Sequence, residues 1–399
     1  MPDPEGGLPW APGKTNLWTK IIEHNKVQAK QGGDQGRPDA NLYFVGSRSA
    51  GKSTLLNRFL YPDKTELPKP TEGMEYTYAR KSAANNIDRK DIAHIWEVAG
   101  SDELCEEVTN SENLFLGMRQ VATAVVCIVV DLSQPSEVLP TLEQWISKIK
   151  MKTGATYEKL ERRGSKLPEQ LKARAKKVFG ATHEDKDAVF HTGVSLVIVA
   201  TKYDTFRDMD AEVKKIMART LRYYAHTNGA ALLYMGGMGS TKSIPPKDTK
   251  EYTGLLNNLR ALLHHLVFTG PDRKIASKLQ MELDHMKPLV VPSGNDRLKD
   301  IGRPRGAGDA TSGDAATGEW RAVFEKLFPP PKKDAKKEWS VDQEQYAEQL
   351  VDNVVAQKNA EVAAYKKQLE IQQKTARQAA AQRAAQLQRK APPAKKPPT

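Results

Sequence analysis

The sequence predicts an α/β fold with a mostly parallel sheet covered by helices on both faces. Two observations carry this. Apolar segments of strand length alternate with helical patterns through most of the chain, and the first strand passes into a helix through a glycine-rich turn, "FVGSRSAGKSTLLNRFL" at residues 44–60. The strands are read at "NLYFVG", "EYTYAR", "IAHIWEV", "ATAVVCIVVD", "SLVIVAT" and "ALLYM", and such alternation is what a parallel sheet with crossover helices produces.

Taken in order, residues 1–37 form an extension rich in Gly, Pro and polar residues. Within it Leu17, Trp18, Ile21 and Ile22 can line one face of a short helix. The nucleotide-binding type of domain is expected over 38–270. A polar, basic, helix-prone stretch at 150–190 reads as a surface insertion. The helix "YTGLLNNLRALLHHLVF" closes the core near Phe268, with Leu255, Leu259, Leu262, Leu263 and Leu266 on one stripe. Residues 271–318 are expected to be irregular, ending in a linker, "GRPRGAGDATSGDAATG", of small polar composition. Docking helices follow at 319–390. In the first, Trp320, Val323, Phe324 and Leu327 recur at i, i+3, i+4 and i+7, which predicts an anchor for a partner; its alternative is a helix folded back on its own domain. In the second, Val351, Val354, Val362, Tyr365 and Leu369 form a short, imperfect seam, suited to a coiled coil or to a partner. Residues 391–399 are a basic tail.

The chain of 399 residues carries a formal charge of +12, and from Lys358 onward ten Lys/Arg against two Glu place +8 of it in the last 42 residues. The basic excess is a tail property without interleaved aromatics, so nucleic-acid binding is not expected. Neither a signal peptide nor a membrane span is read. The two cysteines, Cys105 and Cys127, with Cys127 inside an apolar run, point to a reducing, intracellular setting.

The octet Gly46-Ser-Arg-Ser-Ala-Gly51-Lys52-Ser53 matches the phosphate-binding loop GxxxxGK[ST], following a strand and opening a helix. Backbone N–H groups of such a loop face phosphate oxygens, the helix N-terminus adds its dipole, Lys52 reaches the β/γ-phosphates and the Ser53 hydroxyl ligates Mg²⁺. "TKYD" at Thr201–Asp204 ends the next-to-last strand. Its Asp204 can accept from guanine N1–H and the exocyclic amine, and the stem of Lys202 can lie along the ring, so GTP or GDP is favoured over ATP. The candidate nucleotide set is Gly46, Ser47, Gly51, Lys52, Ser53, Thr54, Thr201, Lys202 and Asp204, with Ser53 and Thr71 for the metal. The hydrolytic parts are poorer. "WEVAGSD" has Glu97 where an aspartate is expected and Ser101 where a glutamine would orient water, so hydrolysis on its own should be very slow. No Ser-Ala-Lys follows the last strand, where Ser240, Thr241 and Lys242 stand out of position, which weakens the expected hold on the base.

The phosphate loop, "PKPTEGMEYTYARK", "KDIAHIWEVAG", "DLSQPSEVLPTLE", "VIVATKYDTFRD", "TLRYYAHTNGAALLYM" and "WRAVFEKLFPP", in this order, resemble the light intermediate chains of cytoplasmic dynein-2 over about residues 15–370. The resemblance implies a Ras-like G domain with a helical C-terminal extension, in a non-catalytic accessory subunit. That subunit would bind and stabilise the dynein-2 heavy chain beside other dynein-2 subunits, reach microtubules only through the motor, and need no membrane. It further implies retrograde intraflagellar transport and ciliary assembly, with location in the cytoplasm, the cytoskeleton and the cilium or flagellum including its base. A slow GTP-dependent switch with its own effector is the alternative. The enlarged region 236–250 and the basic tail after about 372 depart from the family pattern.

Overall fold

A computed structural model describes residues 38–62, 68–69, 71, 73–83, 86–100, 108–111, 114–180, 182–238, 246–271, 279–304, 312–330 and 348–390. The N-terminal extension, Ser101, Cys105, residues 239–245 and the basic tail at 391–399 lie outside them.

In chain order the elements begin β1 (Ala40–Gly46), α1 (Lys52–Leu60), β2 (Met74–Ala83), β3 (Asn86–Val98), β4 (Ala124–Asp131), α2 (Pro135–Arg162) and α3 (Leu167–Phe179). They continue with β5 (Ser195–Thr201), α4 (Tyr203–Phe206), α5 (Ala211–Thr227), β6 (Ala231–Tyr234), α6 (Pro246–His264) and β7 (Val290–Val291). Last come α7 (Leu298–Ile301), α8 (Gly313–Leu327) and α9 (Gln349–Lys390). The seven strands form one sheet in the order β2-β3-β1-β4-β5-β6-β7. Strands β3, β1, β4, β5 and β6 are parallel, and β2 and β7 are added antiparallel at the two edges.

Every residue of β1 and β4 is buried, because helices cover both faces and alternate side chains serve two separate cores. Val126, Ile128 and Val130 join Leu142, Trp145, Met217 and Leu221 on one side. Val125, Cys127 and Val129 join Leu55, Phe59, Leu259 and Leu263 on the other. The six strands and the closing helix read from the sequence are present, and the helix runs on into a π-turn at His265–Thr269.

Three boundaries differ from expectation. The 150–190 stretch is not a surface insertion: α2 runs into it as far as Arg162, α3 follows from Leu167 to Phe179, and Thr153, Thr156, Tyr157, Leu160, Leu171 and Phe179 are buried. The domain does not close at residue 270, since β7 completes the sheet, α7 and α8 pack against α5, and the first compact unit extends to Pro331. Nor does the 302–318 stretch end as a linker, because α8 already begins at Gly313.

The returning segment is held by buried charge. Arg222 of α5 donates two hydrogen bonds to Asp296, at 2.6 and 2.8 Å, with both side chains buried. Asp185 accepts from His226 Nε2 at 3.0 Å and from the Leu298 N–H at 2.8 Å. The second unit, residues 332–399, contains α9, on which Val351, Val354, Val362, Tyr365 and Leu369 are all exposed.

Candidate nucleotide site

The loop between β1 and α1 is shaped by two glycines that no other residue could replace without strain. Gly46 has φ 140°, and a Cβ there would sit 2.0 Å from the Val129 carbonyl oxygen. Gly51, at φ 88°, is the left-handed N-cap that turns the chain into α1 and leaves the first N–H groups of that helix for a ligand. Lys52 is 5% exposed and its ammonium donates to the carbonyls of Gly46 (3.2 Å) and Ser47 (2.8 Å), so the cation lies over the loop. Thr54 follows, half-buried, in the first turn.

Ser53 meets two residues distant in sequence. Its Oγ donates to Glu97 Oε1 at 2.5 Å and stands 3.5 Å from Thr71 Oγ1. Glu97 is 2% exposed, near the end of β3. Burial pushes its carboxyl above the usual range, opposed by hydrogen bonds from Ser53 and Thr71 and by the charge of Lys52. Its second oxygen has no hydrogen-bond partner among the described residues. Three residues on, Gly100 presses on the loop so closely that a Cβ would fall 2.1 Å from the Arg48 nitrogen.

The base-reading segment is tied directly to this loop. Thr201, fully buried, donates its hydroxyl to the Ala50 carbonyl at 2.7 Å and approaches that of Val130 at 3.1 Å. Lys202 adopts φ 58° and pairs with Asp131 Oδ2 at 2.5 Å, while Asp131 Oδ1 accepts from both the N–H and the hydroxyl of Ser133. Asp204 is exposed, and its Oδ1 accepts from the Gly237 N–H at 2.9 Å. The structure therefore brings Gly46, Ser47, Gly51, Lys52, Ser53, Thr71 and Thr201 together, with Lys202 and Asp204 on the turn that follows Thr201.

Sequence reasoning missed four participants. Asp131 anchors Lys202; its signal was the aspartate closing an apolar strand. Gly236 and Gly237 bring the loop after β6 onto Asp204, where the Ser-Ala-Lys was sought; a Cβ on Gly236 would lie 3.2 Å from Asp204 Oδ1 and 2.8 Å from the Tyr252 ring. Tyr252 of α6 covers that loop and receives a hydrogen bond from Arg207 at 3.3 Å, a contact that periodicity alone does not reveal.

Trp320 and Phe324, expected to face a partner, do not. Both are buried in the first unit's own core, with Trp320 stacked on Tyr223 of α5 at 5.4 Å between ring centroids and the Arg219 guanidinium over its indole. The buried stripe of α8 is Ala316, Trp320 and Phe324, prolonged by Phe328, at steps of four. Val323 is half-buried and Leu327 is 38% exposed. The fold-back alternative is the arrangement found, because α5 offers an aromatic surface of Tyr223 and Tyr224 in the same unit.

The donor set suits a Mg²⁺-nucleotide. Hydroxyl and carboxylate oxygens are the ligands that hard cation prefers, and a buried carboxylate oxygen with no partner among the described residues calls for a ligand. A cavity of about 630 Å³ lies elsewhere; Ser195 and Ala231 at the starts of β5 and β6 line it together with Phe179, His191, Asn228 and Leu262, and none of its lining residues belongs to the phosphate-binding loop. No helix among the described residues is long and apolar enough to cross a membrane.

The family described as "Ras of Complex, Roc, domain of DAPkinase" matches residues 41–158, the segment that holds the loop, Thr71 and Glu97. The chain is similar to "Cytoplasmic dynein 2 light intermediate chain 1" of Rattus norvegicus, 31% identical over 352 residues, covering 87% of this chain and 93% of that protein. The Homo sapiens protein of the same description is 29% identical over 351 residues, with the same coverages. Among solved structures, the "Crystal Structure of the Dynein Light Intermediate Chain's Conserved Domain" superposes with a TM-score of 0.48 at 15% identity, covering 72% of this chain and 97% of that one, a likeness too loose to bear on function. Through the relatives that match nearly its whole length, the chain belongs to the cytoplasmic dynein 2 light intermediate chain family.

Proposed function

We propose that this chain is a non-catalytic accessory subunit of the cytoplasmic dynein-2 motor, binding and stabilising its heavy chain for retrograde intraflagellar transport and for assembly of cilia or flagella. It works beside the other dynein-2 subunits in the cytoplasm, on the cytoskeleton and in the cilium including its base, and meets microtubules through the motor. GDP or GTP with Mg²⁺ is its structural ligand.

The observation that carries this reading is the union of an intact phosphate loop with a buried Glu97 drawn onto Ser53. When bound, Mg²⁺ neutralises phosphate charge. Lys52 adds a second positive charge, the Ser53 and Thr71 hydroxyls hold the cation, and Asp204 selects guanine by accepting from its N–H donors. Thr201 joins the loop to the base-reading turn, so one nucleotide would clamp both.

Nucleotide extracted from purified protein and separated chromatographically tests occupancy; a guanine nucleotide at near-stoichiometric yield is expected, and adenine nucleotide or none would refute the site. Heavy-chain affinity should be equal for GDP-loaded and GTP-analogue-loaded protein. A second reading, a slow GTP-dependent switch with its own effector, is favoured by one observation: Thr71 stands 3.5 Å from Ser53, where it could follow the γ-phosphate. A tenfold difference between the two loaded forms, about 1.4 kcal/mol of coupling, together with loss of partner binding in Thr71→Ala, would establish that reading instead.

A further inference from the structure

Three oxygens from three segments of chain meet beside the phosphate loop: Ser53 Oγ from α1, Thr71 Oγ1 from the segment before β2, and Glu97 Oε1 from β3. Their separations are 2.5 Å and 3.5 Å about Ser53. Ligands at about 2.1 Å from an octahedral Mg²⁺ lie about 3.0 Å apart along the octahedron's edges, so these distances bracket the spacing of oxygens that share one cation.

The residue at the end of β3 decides how the cation is held. The register fixes Glu97 opposite Phe44 of β1 on one side and Glu75 of β2 on the other, so its backbone cannot advance toward Ser53. An aspartate here would end one methylene earlier, about 1.5 Å short, and would need a water to span the gap. Glutamate closes it: Oε1 is already in contact with Ser53. Oε2, in a side chain only 2% exposed, has no partner among the described residues, and a buried carboxylate oxygen without one is costly unless a cation or donor completes it.

We propose that Glu97 coordinates the divalent cation directly, as a third protein ligand beside Ser53 and Thr71, in place of a water. This deepens the nucleotide-site reading and rests on it. Its consequence is that the protein grips the cation with its own oxygens and does not depend on a γ-phosphate to retain it, which suits a nucleotide kept for structure.

The test uses Mn²⁺ as the probe on the full chain, with fluorescent GDP binding measured in parallel. Mn²⁺ affinity is read from the free-ion electron paramagnetic resonance signal, and the number of coordinated waters from line broadening in ¹⁷O-enriched water. In Glu97→Asp the affinity should fall about tenfold or more and one water should be gained, with GDP still bound. Glu97→Gln, which keeps the length and removes the charge, should also lose affinity, and its melting curve checks folding. If GDP binds but Mn²⁺ affinity and water count are unchanged in Glu97→Asp, direct coordination is overturned and the nucleotide site stands. If GDP does not bind yet Mn²⁺ does, with the same dependence on Glu97, the ligand assignment stands and the nucleotide reading falls. Binding of neither would overturn both.

Discussion

Truncation of Trp320 is expected to unfold rather than unbind. Its indole is 3% exposed, stacked on Tyr223 and covered by the Arg219 guanidinium, and Phe324 one turn later is 1% exposed. Removal of a buried aromatic costs about 3–5 kcal/mol from transfer and cavity formation together, within which the stacked pair accounts for about 0.5–1.5 kcal/mol. The unit that contains it ends at Pro331. At about 2.1 cal/mol/K per residue, its unfolding entropy is about 0.6–0.7 kcal/mol/K, so Trp320→Ala should lower Tm by about 4–8 °C. Leu327 sits on the same helix at 38% exposure and supplies the control: Leu327→Ala should cost under about 1 kcal/mol and move Tm by no more than about 2 °C. Calorimetry of the full chain, paired with heavy-chain pull-down, reads both effects. An unchanged Tm in Trp320→Ala with lost pull-down would refute the packing argument and restore the partner anchor.

Three further outcomes are expected. Saturating GDP with Mg²⁺ should stabilise the wild type by about 2.7 kcal/mol at a hundredfold excess over Kd and leave Lys52→Ala nearly unmoved in thermal melts; equal shifts in both would contradict the role of Lys52. Arg222→Ala or Asp296→Ala should each cost about 3–5 kcal/mol in urea titrations, since either leaves its former partner buried and uncompensated, and a loss below 1 kcal/mol would show the pair to be dispensable. Acid should weaken the fold. Burial holds the imidazoles of His226, His191 and His264 below their ordinary range. The unfolded chain therefore binds more protons, and stability is complete above the free-histidine value of about 6.5 and is lost as pH falls from there toward the lowered folded values. Tm should drop between pH 7.5 and 5.5, and less steeply in His226→Asn; a flat profile would count against buried neutral histidines.

The parts of the molecule that announce themselves in sequence are those with one dominant local cause. β4 is apolar throughout because it is covered on both faces, and Gly46 and Gly51 hold backbone angles that favour glycine. What stayed hidden depends on distant partners. β7 is two residues long, below the reach of any periodic pattern, and exists because β6 offers an open edge. The stripe of α8 was read at steps of three and four, Trp320, Val323, Phe324 and Leu327, whereas the buried line runs in steps of four from Ala316 to Phe328; α5 chose between them. In sequence Glu97 is only a departure from an expected aspartate, since its contact with Ser53 joins positions 44 residues apart. Ser101 lies outside the described residues.

The strand order carries a consequence for how the chain is made. After β1 emerges, the β2–β3 hairpin docks on one side, and β4, β5, β6 and β7 then add on the other, each onto the edge left by its predecessor. Synthesis and assembly can thus run in the same direction, with no strand inserted between two already paired. The nucleotide loop is nevertheless finished late, because the hydroxyl that locks Ala50 belongs to Thr201, 151 residues downstream. The open edge of β6 persists until β7 leaves the ribosome. At about 5–20 residues per second, roughly 10–50 s separate the birth of the phosphate loop from the sealing of the sheet. During that interval the nascent chain presents an unpaired strand edge, the surface chaperones guard against, and a fragment that stops at residue 270 would present it permanently.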